Sequence, residues 1–188
     1  YVIGFTKSAT LNFFDKTNTN VYSLTEINAS AADQFVYAID SASNFIWATR
    51  IEDMSLDGRG LAITSDCEGI YICGTMHHNG FFPGGDTITS IHDDAYIAKL
   101  DIYTGQEVWV DELNSISSHL EFFNDIVADG YGNIYATGRY DKPSYNNGDT
   151  SLTHLDKNEL ILLKYQTDGT FEWAQIGTGT DDDWGLGI

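Results

Sequence analysis

Apolar residues along this chain come in short runs, such as FVYAI (Phe35–Ile39), AYIAKL (Ala95–Leu100) and LILLKY (Leu160–Tyr165), separated by Gly, Asp, Asn, Ser and Thr. No segment keeps a 3.6-residue apolar period over about ten residues, which removes a helical solenoid. The runs are short, rich in β-branched and aromatic residues, and bounded by turn formers, so they predict strands. Within them the apolar positions do not alternate strictly with polar ones. A sheet with one wet face would alternate, so both faces of these sheets are expected to be covered.

The runs recur. Trp47, Trp109 and Trp173 lie 62 and 64 residues apart (109−47 and 173−109), and each closes the same phrase, from DQFVYAIDSASNFIW to DAYIAKLDIYTGQEVW to ELILLKYQTDGTFEW. Phe35, Tyr96 and Ile161 align, as do Ile39, Leu100 and Tyr165. A second phrase repeats in AITSDCEGIYICGT (Ala62–Thr75) and DIVADGYGNIYATGR (Asp125–Arg139), fixing Tyr71, Tyr135, Gly74 and Gly138 as repeat positions. A period of this size signifies stacked, self-similar modules.

Each unit reads as two hairpins: the AITSD/IYICG pair, a variable polar stretch (Lys7–Ala32, Met76–Asp93, Tyr140–Asn158), then the DAYIAKLD/EVWV pair. Thr104-Gly105 and Asp168-Gly169 turn the second pair in two copies, as Gly at a left-handed position should. The first copy has Ala42-Ser43, so its turn is expected to differ. YVIGF at the start matches the end of the first hairpin, and Gly187-Ile188 matches its beginning. The expected organisation is a partial unit over 1–50, units over 51–110 and 111–174, and the start of another over 175–188. Packing of antiparallel four-stranded repeats between neighbours is the solution of a β-propeller blade.

These phrases resemble the SBBP β-propeller repeat of bacterial secreted and surface proteins. The match rests on DIVADGYGNIYATG, Gly84–Ser90 with its echo Asn147–Thr153, DAYIAKLD, and the closing FEWAQIGTGTDDDWGLGI, and it spans essentially the whole chain. The resemblance implies about three blades of 62–70 residues cut from a larger propeller, an extracellular or cell-surface location, and a scaffold or adhesion role rather than a reaction. VYAIDSASNFIW is also similar to phrases of quinoprotein-type propellers, which would imply a quinone, Ca²⁺ and often adjacent cysteines. Cys67 and Cys73 are not adjacent.

Charge narrows the partners. With 28 acidic and 9 basic residues the formal net charge is −19, a surface that repels phosphate backbones and anionic lipid and removes nucleic acid. No apolar run reaches the roughly 18–20 residues of a membrane span. There is no signal-like N-terminus from which to read a location. Pairing Ser65 with Ile70 would set Cys73 opposite Ala62 and leave Cys67 in the turn, beyond bridging reach, so two free thiols are expected.

Candidate chemistry is thin. His77 and His78 are adjacent, so in an extended chain they point to opposite sides and do not chelate one ion; loop histidines are expected. Asp181, Asp182 and Asp183 form the densest acidic run; it lacks the alternating oxygen spacing of a calcium loop, so it is read first as a solvated, strand-capping turn and only second as a weak Ca²⁺ candidate. No cofactor is otherwise implied. No nucleophile elbow or Cys–His signature occurs. Trp47, Trp109 and Trp173 repeat and are assigned to packing. The non-repeated aromatics Phe81, Phe82, Phe122, Phe123, Tyr140, Tyr145 and Trp184 are expected to present a contact surface, because function in repeat folds sits where the repeats differ. Asn28-Ala29-Ser30 is a glycosylation sequon. The expectation is a non-catalytic structural or binding module whose loops meet a protein, a glycan, other copies of itself or the rest of its propeller. A propeller enzyme (quinoprotein-like or hydrolase) and a self-assembling surface polymer are the alternatives.

Overall fold

The computed structural model describes residues 1–25, 32–53, 59–77, 79–89, 93–113, 121–140 and 158–188. Among them there is no helix; the chain is all-β, with strands β1 Val2–Thr6, β2 Thr10–Phe14, β3 Asn20–Thr25, β4 Asp33–Ile39, β5 Phe45–Asp53, β6 Arg59–Ser65, β7 Ile70–His77, β8 Gly80–Phe81, β9 Thr87–Ile88, β10 Asp93–Leu100, β11 Glu107–Glu112, β12 Phe122–Ala128, β13 Asn133–Tyr140, β14 Glu159–Gln166 and β15 Phe171–Gly177.

The hairpins turn on one recurring device, an aspartate whose carboxylate accepts backbone N–H groups two to four residues ahead. Asp40 accepts from Ala42 and Asn44 (2.8 Å each), Asp101 from Tyr103 and Thr104 (2.9 and 2.8 Å), and Asp129 from Tyr131 and Asn133 (2.7 and 3.2 Å). Asp15, Asp66 and Asp168 do the same for Thr17, Glu68 and Thr170. Part of the acid excess is therefore turn chemistry.

Three antiparallel sheets result, in the orders β1-β4-β5-β8-β9, β6-β7-β10-β11 and β12-β13-β14-β15, together with the separate hairpin β2-β3. They lie as layers. In the middle sheet Tyr71, Cys73, Ala95 and Ile97 join one core with Ile134, Ala136, Ile161, Leu163 and Tyr165 of the third sheet. The residues between them, Ile70, Ile72, Tyr96, Ala98 and Leu100, join the other core with Val36, Ala38, Trp47 and Ile51 of the first. Period-two alternation thus sends successive apolar residues into two different cores, which is why these strands read as unbroken apolar runs.

Ser65 pairs with Ile70 and Ala62 with Cys73. Cys67 is exposed, Cys73 is buried, and both are free.

Several expectations need correction. The turn at Ala42-Ser43 matches the Asp168-Gly169 turn, since Asp40 N–H bonds Asn44 O and Ser43 N–H bonds Asp40 O as Gln166 does with Thr170 and Gly169 with Gln166. It differs from the Thr104-Gly105 turn, which is one residue longer, Asp101 N–H bonding Gln106 O and Gly105 N–H bonding Asp101 O. Ser43 adopts φ +63° where Gly169 has φ +93°. The stretch Lys7–Ala32 contains a hairpin, and Met76–Asp93 contributes β8 and β9, which extend the first sheet through Glu52↔Phe81 and Asp53↔Gly80. That loop therefore straps two sheets together.

Candidate functional site

The repeated tryptophans tie each sheet to the next. Trp47 Nε1–H donates to Ile102 O (3.1 Å), in the β10–β11 turn of the middle sheet. Trp109 Nε1–H donates to Thr167 O (3.2 Å), in the β14–β15 turn of the third, where Lys99 Nζ also donates (2.9 Å). Each indole lies on the turn glycine: a Cβ on Gly105 would come within 2.6 Å of the Trp47 ring, and one on Gly169 within 3.0 Å of Trp109. Glycine is required there twice, by positive φ and by the indole. Trp173 packs on Tyr135 at 6.2 Å on the outer face of the third sheet, with no turn against it among the described residues.

The other repeat positions are structural too. Tyr71 is fully buried, with its hydroxyl donating to Asp66 (3.2 Å), and burial foremost pushes its pKa well up. Tyr135 is half-buried beside Trp173. Gly74 pairs with Tyr96, and Gly138 with Ile161. A Cβ on Gly138 would strike the Phe122 carbonyl.

Three of the six described aromatics expected to form a contact surface are interior. Phe82 is buried edge-to-face against Tyr96, and Tyr140 and Phe123 lie in the core beneath the third sheet. Phe81 is 39 % exposed and Trp184 50 %. Trp184 meets Phe122 edge-on, with the Arg139 guanidinium beside both rings. His77 is a strand residue and not a loop histidine: it ends β7, where its ring pairs with Asp93 and its N–H donates to Asp53 (2.7 Å). His78 and Tyr145 fall outside the described residues.

Asp181–Asp183 follow β15 in a turn. Asp183 N–H donates to Asn158 O (2.8 Å), and Asp182 accepts from Asn158 N–H (3.4 Å). Among the described residues no three His, Cys, Asp or Glu side chains converge as a metal requires.

Repeat alignment missed a set of buried acids. Asp33, Asp94 and Glu159 stand two places before the aligned Phe35, Tyr96 and Ile161, and all three are buried. Asp33 pairs with Arg50 (2.9 Å) and accepts from Asp53 N–H (3.2 Å). Burial dominates its titration and raises its pKa, against the lowering by the Asp53 amide and Arg50. The signal was in the sequence, an acid at the same register in all three units, but it was hidden among so many others.

Missed as well was an open cleft of about 370 Å³ between β2 and the Ser43 turn, lined by Leu11, Phe13, Tyr37, Ser43 and Phe45. No protein family matches this chain, and no curated protein matches it.

Proposed function

We propose that the chain is a non-catalytic scaffold and binding module built from propeller-type blades, as its SBBP-like phrases imply, and that it works at a cell surface or outside the cell. The observation that carries this reading is the Trp-to-turn tie, made once by Trp47 and again by Trp109. A chain that repeats one sheet interface so closely commits its repeated residues to rigidity, and leaves recognition to the loops. The tight aspartate turns occupy one end of the sheets; the β8-β9 strap lies away from them and offers a surface for a protein or glycan. Phe81, exposed on the strap between the first two sheets, is one aromatic side chain offered there.

A glycan array probed with the full chain, followed by titration calorimetry, tests this. Saturable binding without turnover, weakened at least tenfold by Phe81→Ala and unchanged by Tyr131→Ala at the tight-turn end, is expected. Binding lost through Tyr131→Ala instead would place recognition at the wrong end. Release of cleaved product would make the chain an enzyme.

A further inference from the structure

The first and third sheets leave two outer faces, and among the described residues only one of them is covered by a further element. On the first sheet Val36 and Ala38 face the middle sheet, so Phe35 and Tyr37 face outward. Their aligned counterparts, Tyr96 and Ala98 in the middle sheet and Ile161 and Leu163 in the third, are each covered by the preceding sheet. Among the described residues no sheet lies on this face of the first sheet, yet Phe35 and Tyr37 are covered: Phe13 of β2 lies over Phe35, Tyr37 and Phe45 at centroid distances of 6.4, 5.1 and 5.4 Å, and Tyr22 of β3 stacks on Phe45 at 5.1 Å.

Two polar details follow the same substitution. In both internal interfaces a side chain from the preceding sheet donates to a turn carbonyl. At the first sheet's turn the donor is Lys16, from the β2–β3 loop, to Ala42 O. Arg50, buried in the first sheet, fastens the flanks of the hairpin by donating to Ser8 O and Leu24 O (3.3 Å each). The turn itself carries Ser43 where the Trp-bearing interfaces have Gly105 and Gly169. A Cβ at those glycines would press into the indole, so the Ser43 turn is built to refuse one.

We propose that the β2-β3 hairpin is an end cap that stands in for a preceding sheet and blocks a head-to-tail interface with a second copy. The array then has a direction. The face bearing Trp173 is the growing end, and the face bearing Phe35 and Tyr37 is a terminus. This goes beyond the scaffold reading and does not depend on any ligand.

Two measurements on the full chain under reducing conditions test it. An isolated two-stranded hairpin is marginal in water. Slow hydrogen exchange at Thr10–Phe14 and Asn20–Thr25, abolished by Phe13→Ser, is therefore expected only if the hairpin is docked; exchange within seconds in the parent chain overturns the cap. The second replaces residues 9–25 with a short Gly-Ser linker and adds Ser43→Gly. Sedimentation velocity should then show concentration-dependent head-to-tail oligomers absent from the parent, and Trp173→Ala in that background should return them to the parent's size. A folded, uncapped chain that sediments like the parent overturns the proposal, as does a parent whose own association is lost with Trp173→Ala. If the uncapped chain does not fold, the exchange result on the parent decides.

Discussion

Ser43 carries a cost that its counterparts avoid. A non-glycine residue in the left-handed region is strained by roughly 1–2 kcal/mol, and Ser43 sits there at φ +63° in a turn otherwise the same as Gln166–Thr170. Ser43→Gly should stabilise the chain by about 0.5–1 kcal/mol, since glycine gives back part of the gain through unfolded-state entropy. Gly169→Ala should cost more than that, about 2 kcal/mol, because it adds both φ strain and a clash with Trp109. Chemical denaturation of the two variants checks this, and equal effects of one sign would refute it. At this scale the sequence spoke clearly wherever chemistry was local: the turn glycines, the Ser65–Ile70 register and the two free thiols could all be read from neighbours a few residues apart. Ser43 misled because Asp40, like Asp101 and Asp168, holds its turn through backbone amides, and that device tolerates a non-glycine residue at the left-handed position. Phe82 and Tyr140 misled for a different reason. Their burial depends on a sheet far away in sequence, which no local pattern reports.

At the scale of the hairpin, the aspartate turns make stability respond to acid. The pKa values of Asp15, Asp40, Asp101, Asp129 and Asp168 lie below the ordinary 3.8, led respectively by hydrogen bonds from the Thr17 hydroxyl, the Asn44 amide, the Thr104 hydroxyl, the Asn133 side chain and the Thr170 amide. Buried Asp33 is shifted the opposite way, by desolvation, so its contribution runs against that of the five turns. A depressed folded-state pKa means that the unfolded chain takes up protons first as the pH falls through 3.8. The stabilisation is fully present above that value and is lost as the pH drops through the folded-state values. Urea midpoints should therefore be flat from about pH 7 to 5 as far as these turns are concerned, and fall steeply below about pH 4. The triple variant Asp40→Asn, Asp101→Asn, Asp129→Asn keeps an acceptor at each turn and should show a shallower fall. An unchanged slope would mean that the acid sensitivity lies elsewhere. The hairpins as elements were legible from the sequence; the roles of β2-β3 and β8-β9 were not. Their residues form ordinary short polar–apolar runs, and only the sheets they land on make one a cap and the other a strap.

At the scale of the whole molecule, the two cores of the described residues each join the middle sheet to one neighbour, so stability divides into sheet terms and interface terms. Each Trp-to-turn tie belongs to one interface. A buried indole hydrogen bond contributes about 1 kcal/mol net, and replacing the indole with phenyl also thins the packing on the turn glycine. Trp47→Phe and Trp109→Phe should each cost about 1–2 kcal/mol, and the double variant close to their sum, because the two interfaces share no residue at the tie. Trp173→Phe should cost under about 0.5 kcal/mol in this chain, since among the described residues no turn accepts its N–H and its ring packs on Tyr135. If Trp173→Phe proved as damaging as the other two in the monomeric chain, the third sheet would have to be meeting a turn that this arrangement of layers does not provide. The direction assigned to the array would then be wrong, because direction rests on that asymmetry: an indole seated at both inner interfaces, a hairpin in place of a sheet at one end, and an unseated indole at the other.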